Sequence, residues 1–425
     1  MDFGKKILDY KEDILNDLKT LLEIKSVSSE GSENCKKALD FILKRAEESG
    51  LTVKNIKDKA GHIELGSGGE LRGVLTHLDV VPAGKNWSVE PFTLTRKNGR
   101  LYGRGVADDK GASIIDLYCL KALKDNHVKG KNTVRCIFGT DEEIGMSDME
   151  TYFSEEPLPE MSFTPDSDYG ICFAEKGILQ IKISGGKNNS IKEFYAGSAV
   201  NAVPEEARAV YYSNNELKEN SFLGKAAHAC MPDKGKNAAA GLIMLLKNNE
   251  VELSSLLTFI NDKISNETNG ESLGIKMSDE PSGELTCNLG KVRINEAESY
   301  FTLDIRYPVT KDGNKIYKQI KLLCESYNLK TEIIHNIEPL YLPKDSKIVS
   351  TLSKAYEDIT GEKPELYSTG GGTYARMLKG KGVAFGPAFK EDNVNMHNAD
   401  ESIDEEMFFT HAKICLQAIY KLYTE

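Results

Sequence analysis

The chain lacks closely spaced cysteines. Its eight cysteines occur singly, and none forms a Cys-x-x-Cys pair that could bind a metal. Structural zinc sites of the zinc-finger type need such pairs, so the spacing excludes that class of protein. Scattered cysteines in a chain of 425 residues also argue against a disulfide framework. They predict reduced thiols and a cytoplasmic location.

Long apolar segments are missing as well. The longest apolar run, Ala238 to Leu246, is far shorter than the about 20 residues that span a bilayer. The N-terminal segment MDFGKKILDYKEDIL has acidic residues where a signal peptide needs an apolar stretch. We therefore expect neither an export signal nor a membrane partner.

Charge of one sign is not concentrated anywhere in the chain. The 54 basic and 65 acidic residues give a net charge of -11, and neither sign forms a run long enough for a tail or a basic stripe. Nucleic acid is therefore not an expected partner. With 40% hydrophobic and 28% charged residues the composition is that of a globular protein, and the length allows more than one core.

The first part of the chain alternates predicted strands with predicted helices. The strand GVLTHLDVV is followed by the helix GASIIDLYCLKALKDN and then by the strand TVRCIFGT. This alternation predicts an α/β catalytic domain whose mostly parallel sheet is flanked by helices. The same α/β pattern resumes near Pro343, and the chain ends in a long predicted helix, EEMFFTHAKICLQAIYKLY.

The pattern changes after Gly177, where amphipathic strands such as ILQIKISGG and ARAVYYSNN are mixed with helices. This predicts an α+β lid domain inserted into the first domain. We expect residues 1–177 and 339–425 to form the two parts of the catalytic domain and residues 178–338 to form the lid. A cleft between two such domains is a preferred place for an active site.

Ionisable side chains follow several of the predicted strands. In α/β sheets the carboxyl ends of the strands present their loops to one crevice, so these groups are expected to converge. Two histidines among several carboxylates match the mixed nitrogen and oxygen ligands that zinc accepts, and cations would offset the repulsion between the acids. A carboxylate shared by two ions would give a two-metal hydrolase. The candidates are His77, Asp79, Asp108, Asp109, Asp141, Glu142, Glu143, Asp166, Asp168 and His397.

Two details of the spacing suggest a division of roles. Glu142 and Glu143 are consecutive, so in an extended segment their side chains point to opposite sides. One can then bind metal while the other takes a proton from water. Asp79 follows His77 by two positions and is placed to accept the second ring N–H of that histidine.

Eight motifs in this order carry a resemblance that covers the chain from the first helix to the last. They are THLDVVPAGKNW, LYGRGVADDKGA, GTDEEIG, FTPDSD, AAHACMPDKGKNAA, DIRYP, GGGTYAR and MHNADE. Together they resemble the dinuclear-zinc metallopeptidases that include aminoacylase, carboxypeptidase G and carnosinase, with peptidase V-like dipeptidases as the most similar branch.

The resemblance implies two divalent metal ions per chain, expected to be Zn²⁺, with Mn²⁺ or Co²⁺ as alternatives. It implies that one ion is held by His77 and Asp166 and the other by Glu143 and His397. Asp108 would bridge both ions. Glu142 would be the general base, and Asp79 would orient His77.

The resemblance also implies substrate-binding roles in the later part of the chain. His228 would stabilise the oxyanion of the tetrahedral intermediate, and Arg306 together with Asn201 would hold the substrate carboxylate. Asn201 is followed by Ala202, where relatives carry a bulkier apolar residue. The loop from Gly370 to Thr373, including Gly371, would bind the peptide backbone.

Two alternatives stay open at this point. Asp168 competes with Asp166 as the terminal ligand, and Asp166 is preferred because it follows the strand directly and matches the Pro-Asp of the family. Arg306 could instead pair with Asp304 across a sheet surface. The other histidines, at positions 62, 127, 335 and 411, lie in no motif and are assigned to structure or solvent.

The resemblance implies a metal-dependent dipeptidase that cleaves unblocked dipeptides, with β-alanyl dipeptides as a further candidate class. The long insertion further predicts a monomer, because it leaves room for an internal substitute for a dimer contact. An N-acyl amino acid deacylase of the desuccinylase or deacetylase type is the alternative enzyme. A non-catalytic metal-binding or peptide-binding relative is the alternative from a different class.

Overall fold

The structure is a computed structural model that describes residues 2–425, and these residues divide into two compact units. The first unit contains residues up to 173 together with residues 342–367 and 372–425. The second unit contains residues 174–341 and 368–371. None of the helices described in residues 2–425 combines the length and the apolar character that crossing a bilayer requires.

The helices lie close to the segments whose apolar residues recur at helical spacing. Several begin at a side-chain cap; Asn237, for example, accepts the backbone N–H groups of Ala239 and Ala240. The α-helices are α1 (Lys11–Glu23), α2 (Glu33–Glu48), α3 (Lys110–Asp125), α4 (Ser147–Glu155), α5 (Ala238–Asn248), α6 (Ser255–Lys263), α7 (Gly313–Glu325), α8 (Lys347–Thr360) and α9 (Glu405–Thr424). Short 3-10 helices lie at Gly4–Tyr10, Ser28–Glu30, Pro232–Lys234 and Tyr374–Leu378.

The strands fall into three stretches of the chain. Before the change of pattern lie β1 (Thr52–Ile56), β2 (Ala60–Leu65), β3 (Leu71–His77), β4 (Thr95–Lys97), β5 (Arg100–Tyr102), β6 (Thr133–Gly139), β7 (Met161–Thr164), β8 (Ser167–Asp168) and β9 (Ile171–Glu175). Then follow β10 (Gly177–Ser184), β11 (Ile191–Ala196), β12 (Glu206–Ser213), β13 (Glu216–Leu223), β14 (Ser278–Asp279), β15 (Gly283–Glu284), β16 (Thr286–Ile294), β17 (Ser299–Tyr307), β18 (Lys330–Ile337) and β19 (Leu340–Tyr341). The last stretch holds β20 (Leu366–Thr369), β21 (Gly382–Ala384), β22 (Pro387–Ala388) and β23 (Ser402–Asp404).

The sheet of the first unit has the strand order β1-β2-β6-β3-β7-β21-β9. Parallel pairing is confined to its four central strands, β6, β3, β7 and β21. The strands on either side, β2 and β9, join them in antiparallel pairs. The predicted α/β class with flanking helices is therefore confirmed, and the sheet is mixed, with a parallel centre.

The second unit is built on a sheet that is antiparallel throughout, with the order β13-β12-β11-β16-β17-β10-β18. Alternate strand residues such as Leu179, Ile181 and Ile183 are buried in a common core with apolar residues of α5, α6 and α7. This arrangement is the α+β architecture predicted for the inserted segment.

The units depart from the predicted domain limits at one informative place. Residues 368–371 belong with the second unit, although the sequence places them in the second part of the catalytic domain. The carbonyl oxygen of Thr369 accepts the Lys176 N–H at 2.9 Å, and that of Gly370 accepts Arg306 Nη1 at 3.0 Å. These two bonds attach the segment to the second unit. The division into a catalytic domain and an inserted lid stays a prediction.

Two of the histidines assigned to structure or solvent, His62 and His411, are buried in the first unit. His62 Nδ1 lies 2.8 Å from the Tyr152 hydroxyl, and His411 Nδ1 lies 2.8 Å from the Tyr169 hydroxyl. Burial lowers the pKa of His411 to about 3 and that of His62 to about 4. Both rings are therefore neutral in the folded protein near pH 7.

The buried His411 gives a prediction for the pH dependence of stability. In the unfolded chain the pKa of His411 returns to about 6.5. Below that pH the unfolded state therefore binds a proton on this ring, whereas the folded state does not. The wild type should thus lose stability as pH falls from 6.5 toward 3, whereas His411→Gln lacks this loss. We expect the stability difference between the two proteins to shrink by about 2 kcal/mol between pH 7.5 and pH 5.

Urea unfolding of both proteins at several pH values measures this difference, and all other titrating groups cancel in the comparison. His127→Asn is the matched control, because His127 is exposed and already has a positive φ of 51°, which asparagine tolerates. A difference between wild type and His411→Gln that stays constant with pH would contradict the assignment of a neutral, buried ring.

Candidate metal centre

The candidate residues of the first unit meet because three neighbouring parallel strands end at the same edge of the sheet. β3 lies between β6 and β7, and it ends at His77. The loop after β6 carries Glu142 and Glu143, and the loop after β7 carries Asp166. Parallel strands place their carboxyl ends together, so loops that are distant in sequence become neighbours.

The ionisable side chains form two groups, in each of which three possible ligand atoms lie within 4.8 Å of one another. One group is His77, Glu142 and Asp166, and the other is Asp108, Glu143 and His397. All five predicted metal ligands are therefore brought together, with Glu142 beside them. The structure also places Glu142 where it could itself bind a cation, whereas the resemblance implies only a general-base role for it.

Asp108 connects the two groups. Its Oδ1 lies 3.0 Å from His77 Nε2, and its Oδ2 lies 2.9 Å from His397 Nε2. Each carboxylate oxygen thus faces one of the two histidines. His397 Nε2 is also 3.1 Å from Glu143 Oε2.

The positions of Asp166 and Asp168 distinguish these two candidates for the terminal ligand. Asp166 Oδ2 lies 3.9 Å from His77 Nε2, and its side chain is mostly buried. Asp168 is exposed and belongs to β8, which pairs with β22. Of the two candidates for the terminal ligand, only Asp166 lies in a group of possible ligands.

Asp79 contacts the cluster differently from the prediction. His77 Nδ1 lies 2.9 Å from the backbone oxygen of Asp79 and 3.5 Å from its carboxylate oxygen Oδ1, so the closer partner is the main chain. The carboxylate instead accepts the backbone N–H groups of Glu142 at 3.1 Å and Glu143 at 3.2 Å. Its side chain therefore fixes the turn that carries both glutamates.

A second carboxylate, that of Asp148, holds the same loop at its preceding residues, and no sequence pattern predicted it. Asp148 is buried, and its Oδ2 accepts the N–H groups of Thr140 at 2.6 Å and Asp141 at 3.0 Å and the hydroxyl of Tyr374. Gly139 is required beside them, since a methyl group there would collide with Tyr374 and Asp148. Asp148 resembles an ordinary acidic residue of a first helical turn, so only its tertiary contacts distinguish it.

Asp109 supports His77 from the backbone side. Its Oδ2 accepts the backbone N–H of His77 at 3.2 Å, and the Ser113 hydroxyl donates to the His77 carbonyl at 3.1 Å. Asp109 is fully buried, and burial, followed by the charge of Asp166, raises its pKa well above the ordinary value. The last residue of β3 is thus fixed by its main chain as well as by its ring.

Burial and mutual repulsion disfavour the ionised form of several carboxyl groups in the cluster. Burial is the largest effect on Glu142, Glu143 and Asp166, and it raises the pKa of each above its ordinary value. Neighbouring carboxylates add to the shift; for Asp166 the main one is Asp108.

Hydrogen bonds reverse the direction for Asp108 and the two histidines. Burial alone would raise the pKa of Asp108, but the bonds with His397 and His77 outweigh burial and lower it. Burial opposes charge on His77, yet bonds with Asp108 and Asp79 raise its pKa well above the ordinary value. Hydrogen bonds with Asp108 and then Glu143 raise the pKa of His397 to about 11.

These features fit a pair of divalent cations. Two imidazoles and several carboxylate oxygens are donors that zinc, manganese and cobalt accept, and cations would remove the mutual repulsion of the acids. Glu143 also has a buried oxygen, Oε1, without a hydrogen-bond partner among residues 2–425. A buried carboxylate oxygen of this kind is available to a cation.

The predicted substrate residues are divided between the units. His228 and Asn201 lie in the second unit, where both are exposed. His228 Nδ1 accepts the backbone N–H of Cys230 at 3.2 Å and lies 3.0 Å from its Sγ. A neutral His228 ring therefore carries its proton on Nε2, as an oxyanion donor requires. Its role stays a prediction.

Arg306 is buried and makes a bidentate ion pair with Asp304, through Nε at 2.5 Å and Nη2 at 2.9 Å. The alternative pairing that the sequence left open is therefore present. The remaining nitrogen, Nη1, binds the carbonyl oxygen of Gly370. In the second unit Arg306 thus holds the glycine loop, and its predicted bond to a substrate carboxylate stays a prediction.

The other two loop residues have local structural contacts. Gly371 belongs to the second unit and donates its N–H to Thr369 Oγ1 at 3.1 Å. Thr373 belongs to the first unit, where its Oγ1 accepts the Ala375 N–H at 3.1 Å and caps a 3-10 helix. Their predicted contacts with a peptide backbone stay predictions.

Comparison with known proteins connects this geometry to a family. The sequence model described as Peptidase family M20/M25/M40 matches residues 73–421. The Bacillus subtilis (strain 168) protein "Putative dipeptidase YtjP" is 35% identical to this chain and covers 99% of it and 100% of its own length. The Staphylococcus aureus (strain bovine RF122 / ET3-1) protein "Putative dipeptidase SAB1611c" is 32% identical and covers 99% of both chains.

Two solved structures share the fold at low sequence identity. The dipeptidase Dug1p of Saccharomyces cerevisiae has a TM-score of 0.67 at 16% identity, covering 100% of this chain and 99% of its own. Human carnosine dipeptidase 1 has a TM-score of 0.63 at 14% identity, covering 99% of both chains. The resemblance drawn from the eight motifs is confirmed, and the chain belongs to peptidase family M20/M25/M40.

Proposed function

We propose that the protein is a metal-dependent dipeptidase that hydrolyses the peptide bond of unblocked dipeptides. The observation that carries this proposal is the pair of ligand groups joined by Asp108, one of which contains Glu142. Membership of a peptidase family supports hydrolysis, and the names of the relatives support dipeptides as substrates.

The proposed ligands divide into two sets that share one residue. His77 and Asp166 would hold one ion, Glu143 and His397 the other, and Asp108 would hold both. We propose Zn²⁺ as the ion, with Mn²⁺ and Co²⁺ as alternatives that the same donor set accepts. When bound, such ions supply positive charge that stabilises a developing oxyanion and makes water easier to deprotonate.

Glu142 is the proposed general base. Its backbone and that of Glu143 are fixed by the Asp79 carboxylate, while the side chain of Glu143 faces His397. This leaves the Glu142 carboxylate to take a proton from water and then to deliver it to the leaving amine. Asp79 acts as a positioning residue for this turn.

His228 is the proposed oxyanion donor, and Arg306 with Asn201 the proposed anchor of the substrate carboxylate. The ion pair with Asp304 limits Arg306, since only one of its three guanidinium nitrogens is outside that pair. A substrate carboxylate would have to share Nη1 with the Gly370 carbonyl or replace it. Gly371 and Thr373 are proposed to bind the peptide backbone.

The remaining proposals concern the state of the protein in the cell. The scattered thiols support a cytoplasmic location, and the long second unit supports a monomer. Sedimentation velocity of the purified protein tests the second proposal, and an obligate dimer would contradict it.

The proposed reaction predicts that the purified protein loses activity on treatment with a chelator and regains it with Zn²⁺, Mn²⁺ or Co²⁺. A panel of unblocked dipeptides, β-alanyl dipeptides, and N-acetyl and N-succinyl amino acids should show release of free amino acids from the dipeptides. Quantitative amino-acid analysis of each reaction measures this.

The same panel separates the alternatives. Release from the N-acyl amino acids alone would replace the proposal with a deacylase. Tight binding of metal without release from any member of the panel would favour a non-catalytic protein. The ion that restores the greatest activity at equal occupancy would identify the preferred metal.

A further inference from the structure

A buried carboxylate outside the two ligand groups holds the loop that presents Asp108. Glu401 is fully buried, and its Oε1 accepts the backbone N–H groups of Gly105 at 3.0 Å, Ala107 at 3.0 Å and Asp108 at 3.3 Å. Three N–H groups directed at one oxygen fix the main chain up to Asp108 itself. The sequence motif MHNADE contains Glu401, but it gives no indication of this contact.

Arg104 completes a pair with Glu401 and extends it to a second loop. Its Nη1 binds Glu401 Oε2 at 2.5 Å, and its Nη2 donates to the carbonyl oxygen of Asn398 at 3.1 Å. Both charged side chains are 1% exposed. Taking an ion pair this far out of water is costly. The three backbone N–H groups satisfy the Glu401 carboxylate, whereas the buried Nε of Arg104 has no hydrogen-bond partner among residues 2–425.

The second loop is the one that carries His397, and its backbone is strained. His397 has a φ of 63° and Asp400 a φ of 58°, both in the left-handed region that residues with side chains seldom adopt. Such conformations persist when the surroundings fix them, and they often occur at functional sites. Here the Asn398 carbonyl and the Glu401 side chain are the fixed points on either side of Asp400.

We propose that Arg104 and Glu401 form a positioning pair that sets the separation of Asp108 and His397 and thereby the affinity for metal. The pair joins loops that are almost 300 residues apart in the chain, the separation of Arg104 and Glu401 being 297. Ligands held in advance at the right spacing bind a cation more tightly than ligands that must be ordered. This inference rests on the proposed metal centre.

The test is the dissociation constant for Zn²⁺ of the metal-free full-length protein, measured by competition with a chelating indicator. Glu401→Gln keeps the shape of the side chain but removes the charge that binds Arg104. We expect Zn²⁺ to bind at least about 10-fold more weakly, within the 10-fold to 100-fold range typical for residues that orient metal ligands. Excess Zn²⁺ should restore most of the turnover rate.

Glu156→Gln is the matched control. Glu156 is also a mostly buried carboxylate of the first unit, bound to Arg135 at 2.6 Å and to Lys54. It contacts neither the Asp108 loop nor the His397 loop in any of these bonds. Its substitution should lower the melting temperature and leave the Zn²⁺ dissociation constant unchanged, which separates positioning from general stability.

Arg104→Lys provides a second variant in case Glu401→Gln does not fold. It keeps a positive charge beside Glu401 but cannot bind both Glu401 and Asn398 in the planar, forked way of a guanidinium. We expect a weakened Zn²⁺ affinity here too, and a double variant no weaker than the worse single variant, because both changes break one unit.

The outcomes distinguish this inference from the proposed function. Wild-type protein that fails to bind Zn²⁺ would overturn the proposed metal centre. Tight binding by the wild type, with equal affinity in Glu401→Gln and Arg104→Lys, would overturn only the positioning role. An equal loss of affinity in Glu156→Gln would also overturn it, because the effect would then follow from reduced stability.

Discussion

Glu142→Gln is expected to remove almost all dipeptide hydrolysis while the protein still binds two metal ions per chain. General base catalysis by a positioned carboxylate contributes about 10²-fold to 10⁴-fold, and glutamine has the same shape but cannot take a proton. The turn that carries residue 142 is held through its backbone N–H by Asp79, and the substitution leaves that bond intact. Steady-state kinetics on a dipeptide and elemental analysis of the same preparation measure both quantities.

Glu143→Gln is the natural control, because it makes the same change at the next position. Glu143 Oε2 lies 3.1 Å from His397 Nε2 within the second ligand group, so this variant should lose metal as well as activity. A loss of one metal ion in Glu142→Gln would show that Glu142 is a ligand, as its closeness to His77 and Asp166 would allow. Wild-type turnover in Glu142→Gln would contradict the proposed mechanism altogether.

Asp108→Ala is expected to weaken both metal sites and to reduce hydrolysis by on the order of 10³-fold or more, since several kcal/mol of charge stabilisation are lost with the ions. The reason is its position between His77 and His397, with one carboxylate oxygen toward each ring. Removing this carboxylate therefore takes one proposed ligand away from both metal sites at once. Isothermal titration of the metal-free protein with Zn²⁺ gives the number and affinity of the remaining sites.

His77→Ala is the comparison that makes this prediction specific. His77 belongs to one ligand group only, so its loss should weaken one of the two sites and leave the other close to its wild-type affinity. If Asp108→Ala and His77→Ala each lose a single site and keep the other unchanged, Asp108 does not bridge the ions. Two unaltered sites in Asp108→Ala would remove Asp108 from the metal centre.

The main helices and strands of the first domain were predictable because they follow from local patterns. The predicted helix from Gly111 to Asn126 corresponds to α3, and the predicted strand from Thr133 to Thr140 corresponds to β6, each displaced by one residue at most. Helical and strand periodicities are properties of neighbouring residues, so they can be read without the fold.

The direction of the outer strands of the first sheet was not predictable in this way. A short apolar strand has the same pattern whether its neighbour is parallel or antiparallel, and β2 and β9 pair antiparallel at the margins of a parallel centre. The attachment of residues 368–371 to the second unit has a similar origin. It depends on bonds to Lys176 and Arg306, which are far away in sequence.

Asp79 lies beside His77, but its carboxylate makes contacts that the sequence did not predict. Its proximity to His77 follows from a spacing of two residues, and the sequence therefore predicts a bond between the carboxylate and the ring. The fold gives the ring the Asp79 carbonyl as its closer partner and turns the carboxylate toward the backbone of Glu142 and Glu143. Glu142, the nearer of these two glutamates in sequence, is 63 residues away from Asp79.

The sequence by itself determined which residues are candidates for the metal centre, since His77, Asp108, Glu142, Glu143, Asp166 and His397 all stand in motifs next to predicted strand ends or loops. Only the tertiary structure decided how these residues are held. Asp148 with Tyr374 and Arg104 with Glu401 act through hydrogen bonds between segments separated by 226 and 297 residues. Such bonds depend on where the chain folds back on itself, and no local pattern of residue types specifies that.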